Sequence, residues 1–151
     1  MSDKKERARK LFDDGFSCSQ SVFTPYAVEQ GLPEEKALKL SQVLGGGISH
    51  MGLTCGAVTG ALLVISLHFG RSQAEDLAAQ EFCRRFTELH GSINCSDLIG
   101  CSLKTPQGRE LASEHDLFDK YCTVFIEDSC RLLEEIIEEG YEKKERSKVS
   151  T

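Results

Sequence analysis

The sequence has neither a long apolar run nor an excess of positive charge. Its longest apolar run, Ala61 to Leu67, is interrupted by Ser66 and falls far short of the roughly 20 residues that a membrane span needs. The net charge of −6 at pH 7 argues against nucleic acid and against an anionic membrane surface as partners. The opening residues MSDKKERARK have no apolar stretch behind them, which predicts no secretory signal. We therefore expect a cytoplasmic protein without membrane insertion.

The sequence also lacks the sustained polar–apolar alternation that is typical of strands. Helix start and stop signals recur instead, and Pro25 is expected to kink or divide the second helix. The predicted helices cover about residues 2–14, 17–30, 33–44, 55–69, 72–90 and 116–139. CSDLIG is expected to form a short turn, and KTPQGRE a polar connection. We predict an all-α fold, a small bundle of five or six helices in a single domain over residues 1–151, with 140–151 as a frayed tail.

Seven cysteines stand out in such a chain. A disulfide framework belongs in an oxidising compartment, and an odd number of cysteines leaves at least one thiol without an intrachain partner. In a reducing cytosol the alternatives are buried inert thiols, a transient redox disulfide, or a metal or cluster site.

Three of the cysteines follow residues that are favoured as N-caps, which would place each thiol at the first position of a helix. The pairs are Ser17–Cys18, Thr54–Cys55 and Asn94–Cys95. Free amides and the positive end of the helix dipole stabilise an anion at such a position, so the thiol pKa should fall below its usual value of about 8.5. We expect this effect at Cys55 in particular.

The remaining cysteines differ in their surroundings. Cys83 and Cys130 lie on apolar helix stripes and are expected to be buried in packing. Cys101 follows a connector, and its role is open. Cys122 joins Cys18, Cys55 and Cys95 as the four cysteines for which a functional role is favoured.

The segments GFSCSQSVF, LGGGISHMGLTCGAVTGALL, INCSDLIG and YCTVFIEDSCRLLEEI resemble the C_GCAxxG_C_C family of redox-active proteins. The resemblance covers about residues 8–139, and the four cysteines of the family pattern match Cys18, Cys55, Cys95 and Cys122. The sequence reads CGAVTG where the family pattern places glycine before cysteine. Some relatives resemble the cysteine-bearing part of split-Soret cytochromes, for which an iron–sulfur cluster has been proposed. The haem attachment signature CxxCH is absent, so no c-type haem is implied.

Three functions remain open. In the first, Cys55 is the nucleophile of thiol–disulfide exchange, and Cys18, Cys95 or Cys122 resolves the mixed disulfide. In the second, the same four thiolates hold an iron–sulfur cluster or zinc for electron transfer or sensing. Their spacings of 37, 40 and 27 residues (18 to 55, 55 to 95, 95 to 122) differ from the close pairs that are usual for such sites. In the third, the thiols are buried and structural.

The residues around Cys55 fit more than one of these functions. Gly45–Gly47 and Gly52 allow a close approach of the backbone to a second sulfur or to a cluster. Gly56 and Gly60, one turn apart on a helix, are predicted either to contact a cofactor or to let another helix cross closely. His50 could be a base, a ligand or a solvated loop residue. The redox partner is unknown, and a homodimer is compatible with the glycine-flattened helix.

Overall fold

Eight α-helices make up most of residues 3–141, the part of the chain that the computed structural model describes. In chain order they are α1 (Asp3–Asp13), α2 (Cys18–Glu29), α3 (Glu34–Ser41), α4 (Gly56–Phe69), α5 (Gln73–His90), α6 (Cys95–Ile99), α7 (Pro106–Glu114) and α8 (Thr123–Glu139). A 3₁₀ turn, Gln42–Leu44, follows α3, and a π-helical turn, Phe118–Cys122, leads into α8. The described residues contain no sheet, so the all-α prediction is confirmed. Most of the predicted tail, 142–151, lies outside them.

Two short helices account for the difference from the predicted number of five or six. The expected turn CSDLIG contains α6, in which Gly100 ends the helix in the left-handed conformation. The expected connection KTPQGRE contains α7, which begins with Pro106 after the N-cap Thr105. The Thr105 side chain accepts a hydrogen bond from the Gly108 amide, so α7 has its own start signal.

Helix α2 lies at the centre of the bundle. Every residue from Cys18 to Ala27 is buried, and α1, α3, α4 and α8 all pack against it. The predicted division of the helix at Pro25 is wrong, because α2 continues through Pro25 to Glu29, and the alternative of a kink stays a prediction. An internal proline costs about 3 kcal/mol, and packing on all sides of this apolar helix offsets that cost.

Helix α4 crosses α2 closely because both Gly56 and Gly60 face it. A Cβ atom on Gly60 would lie 2.8 Å from the carbonyl oxygen of Ser19, too close for a real contact. A Cβ atom on Gly56 would lie 2.5 Å from Cys18 Sγ. The two glycines therefore bring the start of α4 directly against the start of α2.

Helices α5 and α8 complete the core with aromatic contacts. Phe86 packs against Phe82 and Phe125 with ring centroids 6.2 Å and 6.0 Å apart. None of the helices within residues 3–141 combines the length and the apolar character needed to cross a lipid bilayer.

Candidate functional site

The four cysteines of the predicted site line one cavity. Its volume is about 190 Å³, and the four thiol-bearing residues are only 3–7% exposed. The rest of the wall is mostly aromatic and aliphatic; the other lining residues are Phe12, Ser17, Gly46, His50, Leu98, Ile99, Phe118 and Phe125. The fold thus brings together thiols that are 27 to 40 residues apart in sequence.

Cys18 lies at the first position of α2, as its sequence predicts. Ser17 is the N-cap, and its hydroxyl accepts a hydrogen bond from the Gln20 amide while the Gln20 side chain accepts one from the Ser17 amide. This capping box fixes the start of α2 at Cys18. The unpaired amides of the first turn therefore lie next to the thiol.

Cys55 lies one position earlier than its sequence predicts. It is the N-cap of α4 with φ −54° and ψ 133°, and the helix starts at Gly56. The reason is a short antiparallel bridge between Thr54 and Asn94, which holds the chain extended up to Cys55. In this bridge the Cys55 amide donates to the Ile93 carbonyl at 2.7 Å.

The same bridge places Cys95 beside the segment that carries Cys55. The Cys95 amide donates to the Leu53 carbonyl at 2.6 Å, and Cys95 begins α6 after the N-cap Asn94, as predicted. Cys122 also lines the cavity, from the last position of the π-helical turn before α8. A π turn shifts the register of a helix, and such turns are frequent at functional sites.

The loop before Cys55 is a left-handed turn. Five consecutive residues, Gly46 to His50, have φ between 47° and 71°. This backbone costs roughly 1–2 kcal/mol for each of its non-glycine residues. The turn is closed by the Gly52 amide, which donates to the Gly46 carbonyl at 3.0 Å. It directs the Gly46 amide at Cys18 Sγ and brings exposed His50 to the cavity wall.

The thiols of Cys18 and Cys55 form a coupled pair. A hydrogen bond from the Cys55 thiol lowers the pKa of Cys18 to about 7, against an opposing effect of burial. The amides of Gly46 and Ser19 and the amide of Cys18 itself lower this pKa further. The prediction of a lowered pKa at Cys55 is wrong: the hydrogen bond to Cys18, burial and the Cys18 charge raise the pKa of Cys55. One thiolate is shared by the pair, and it lies on Cys18 because more amides face that sulfur.

The other two cavity cysteines hold neutral thiols. Burial is the main reason that the pKa of Cys95 is raised to about 12, with smaller contributions from the charges of Cys18 and Cys101. Burial also raises the pKa of Cys122, to which the charges of Cys18 and Cys95 add. Both thiols are therefore close to Cys18 and remain protonated at neutral pH.

The remaining three cysteines do not line the cavity. Cys130 is fully buried in the core, as expected, whereas Cys83 packs against the core but is only half-buried. Cys101 is half-buried, with its thiol 3.5 Å from the Gly108 carbonyl oxygen. Gly56 and Gly60 do not line the cavity either. Their position fits the helix-packing alternative, and their contact with a cofactor stays a prediction.

The chain matches the family described as "Putative redox-active protein (C_GCAxxG_C_C)" over residues 16–136. The chain belongs to this family. A relative from Archaeoglobus fulgidus, described as an uncharacterized protein, is 28% identical over 109 residues, which cover 62% of this chain and 72% of the relative. No solved structure matches the chain.

The four cysteines that the sequence analysis matched to the family pattern all line the cavity. No sequence pattern identifies the other residues that line the cavity. Phe12, Leu98, Phe118 and Phe125 read as ordinary core residues in the sequence. The Gly46 amide could be anticipated in part, since the glycine run 45–47 indicated a close approach of backbone to sulfur.

The arrangement of the four thiols bears on metal binding. Within residues 3–141, no group of three or more His, Cys, Asp or Glu side chains is placed to hold a metal ion. Zinc binding by these four cysteines stays a prediction. An iron–sulfur cluster is larger than a single ion, and four cysteine thiols around one cavity are the donors that it requires.

Proposed function

We propose that this member of the C_GCAxxG_C_C family transfers electrons through a reversible disulfide between Cys18 and Cys55. The observation that carries the proposal is the pair itself, in which the Cys55 thiol donates a hydrogen bond to Cys18 and the pKa of Cys18 is about 7. The thiolate is the nucleophile in disulfide exchange, so Cys18 takes the attacking role first expected of Cys55.

The reaction has two steps. The Cys18 thiolate attacks one sulfur of a disulfide R–S–S–R, forming a Cys18–S–S–R bond and releasing RS⁻. The Cys55 thiol then gives its proton to that thiolate, attacks Cys18 Sγ and releases the second half as RS⁻. The protein loses two electrons and one proton, the disulfide gains two electrons, and the products are RSH and RS⁻. The lowered pKa suits Cys18 for attack, and the raised pKa of Cys55 keeps its proton in place until the second step.

A redox titration tests the proposal. The reduced protein is equilibrated anaerobically against mixtures of reduced and oxidised dithiothreitol, and its free thiols are counted after acid quenching. We expect a single two-electron transition in which two thiols per chain are lost. Cys18→Ser and Cys55→Ser should each abolish it, whereas Cys83→Ser, a change at a thiol outside the cavity, should leave it intact. A transition that survives in Cys18→Ser would overturn the proposal.

A second function is supported by the convergence of all four thiols on one cavity. Cys18, Cys55, Cys95 and Cys122 would hold an iron–sulfur cluster, which supplies one-electron transfer when bound. The apolar wall would shield it from solvent. Protein purified anaerobically should then show visible charge-transfer absorption and contain iron, and each of the four serine variants should lose both. Colourless, iron-free protein in which Cys18 and Cys55 form a reversible disulfide would favour the disulfide function over the cluster.

We infer a reducing compartment, the cytoplasm, for this chemistry. A pair that cycles between thiol and disulfide needs a supply of reductant, which the cytoplasm provides. The partner that accepts the electrons is to be identified by trapping the mixed disulfide in Cys55→Ser, which lacks the thiol that releases it.

A further inference from the structure

The cavity beside Cys18 is small, and the ionisable side chains of its wall are its thiols and His50. Its 190 Å³ equals the liquid volume of about six waters and lies below the roughly 300–1,000 Å³ of typical ligand pockets. Among the described residues that line it, none is Lys, Arg, Asp or Glu. The aromatic rings of Phe12, Phe118 and Phe125 form much of the wall.

Such a wall discriminates by charge. A carboxylate or ammonium group that enters it loses its hydration, at a cost of several kcal/mol per ion. A carboxylate finds no Lys or Arg among the lining residues, and the attraction of an ammonium group to the Cys18 thiolate offsets only part of that cost. An anion also meets the Cys18 thiolate, so two negative charges would share one apolar cavity. A compact uncharged molecule pays neither cost.

We propose that the oxidant of the Cys18–Cys55 pair is a small, uncharged disulfide that enters this cavity, and that charged disulfides of similar size are rejected. The proposal rests on the proposed function and names its substrate class. Cys18 forms the mixed disulfide with one half and releases the other half as a thiolate. Cys55 passes its proton to that thiolate and displaces the second half, so one disulfide is reduced for each protein disulfide formed.

Three probes of similar size separate charge from reactivity. Reduced protein is mixed anaerobically with neutral bis(2-hydroxyethyl) disulfide, dianionic 3,3′-dithiodipropionate or dicationic cystamine, and formation of the Cys18–Cys55 disulfide is followed by quenching and mass spectrometry. Each rate is divided by the rate of the same probe with dithiothreitol, which removes differences in intrinsic reactivity. We expect the normalised rate of the neutral probe to exceed both others by at least about tenfold, which corresponds to about 1.4 kcal/mol.

A charge placed in the wall should reverse the preference. Leu98→Lys introduces an ammonium group at a lining position, and the rate of the dianion relative to the neutral probe should rise about tenfold. Leu89→Lys adds the same charge at an exposed position on α5 outside the cavity and should change nothing. If Leu98→Lys loses helical circular dichroism, Phe12→Lys makes the same test from α1.

The outcomes are distinct. Equal normalised rates for the three probes would overturn the substrate class and leave the disulfide chemistry standing. A preference for cystamine would also overturn it, because attraction to the net charge of −6 would then outweigh exclusion by the cavity. Failure of all three probes to form the Cys18–Cys55 disulfide would overturn both the substrate class and the proposed function.

Discussion

Replacing Cys55 with alanine should raise the pKa of the Cys18 thiol, whereas replacing it with serine should leave that pKa near its present value of about 7. The Cys55 thiol is the largest single cause of the lowered pKa, because it donates a hydrogen bond to the Cys18 thiolate. Alanine cannot donate this bond, and a serine hydroxyl can. The two variants are similar in size, so they differ mainly in the donor.

The size of the shift follows from the strength of the bond. A hydrogen bond to a charged group contributes about 1.5–3 kcal/mol, and one pKa unit corresponds to 1.36 kcal/mol. Cys55→Ala should therefore raise the pKa of Cys18 from about 7 by roughly one to two units. The amides of Gly46, Ser19 and Cys18 remain in the variant, and they limit the rise.

The assay is the rate of alkylation of the Cys18 peptide by iodoacetamide between pH 5 and 10, followed by mass spectrometry. Because burial raises the pKa values of Cys95 and Cys122, these thiols should not react in the lower half of this range. The midpoint of the Cys18 profile gives its pKa. Equal midpoints in Cys55→Ala and Cys55→Ser would refute the reasoning, since they would show that no donor at position 55 stabilises the thiolate.

Three further changes test the packing and the local structure around the site. Gly60→Ala should lower the free energy of unfolding in urea by about 1–3 kcal/mol, because its Cβ would lie 2.8 Å from the Ser19 carbonyl oxygen. Leu67→Ala, at an exposed position of α4, should lower it far less, and equal losses for the two variants would contradict the close crossing of α2 and α4. Ser17→Ala removes the capping box of α2 and should lower the free energy of unfolding by about 1 kcal/mol in the same assay. Ser113→Ala in α7 is the control, and equal stability of the two variants would contradict the role of Ser17 as a cap. Burial raises the pKa of Cys130 to about 12, so its contribution to stability is complete below the usual thiol pKa and is lost as the pH rises toward 12. Between pH 9 and 11 the wild type should lose about 1 kcal/mol per pH unit more than Cys130→Ala, and parallel slopes would contradict this.

The sequence predicted the start of α2 correctly because the signal there is local. Ser17 and Gln20 are three residues apart, and the side chain of each accepts a hydrogen bond from the backbone amide of the other. No distant residue is therefore needed to fix Cys18 at the first helical position. The all-α fold was also accessible, since helix periodicity and caps recur along the chain. The four thiols share a cavity because the helices that carry them converge, which the family pattern indicated and the spacing alone did not.

Tertiary contacts explain what the sequence did not predict. Cys55 is the N-cap rather than the first residue of α4 because the segment before it pairs with residues 93–96, some 40 positions away. The sequence predicted the thiolate at Cys55, but the structure places it on Cys18. One reason is the Gly46 amide, which a left-handed turn in another part of the chain directs at Cys18 Sγ. Pro25 stays inside α2 because that helix is packed on all sides. Helix propensity describes the residue alone and does not include the effect of such packing.

Disulfide mapping after oxidation by one equivalent of oxidant is the most direct measurement of the Cys18–Cys55 chemistry. Fully reduced protein is treated anaerobically with one equivalent of bis(2-hydroxyethyl) disulfide, blocked with N-ethylmaleimide at low pH, digested without reductant and analysed by mass spectrometry. We expect one dominant linked species, the peptide containing Cys18 joined to the peptide containing Cys55, with the other five cysteines blocked as free thiols. A dominant link that leaves out Cys18 or Cys55, or full recovery of all seven cysteines as blocked thiols, would contradict the assignment of this pair as the redox centre.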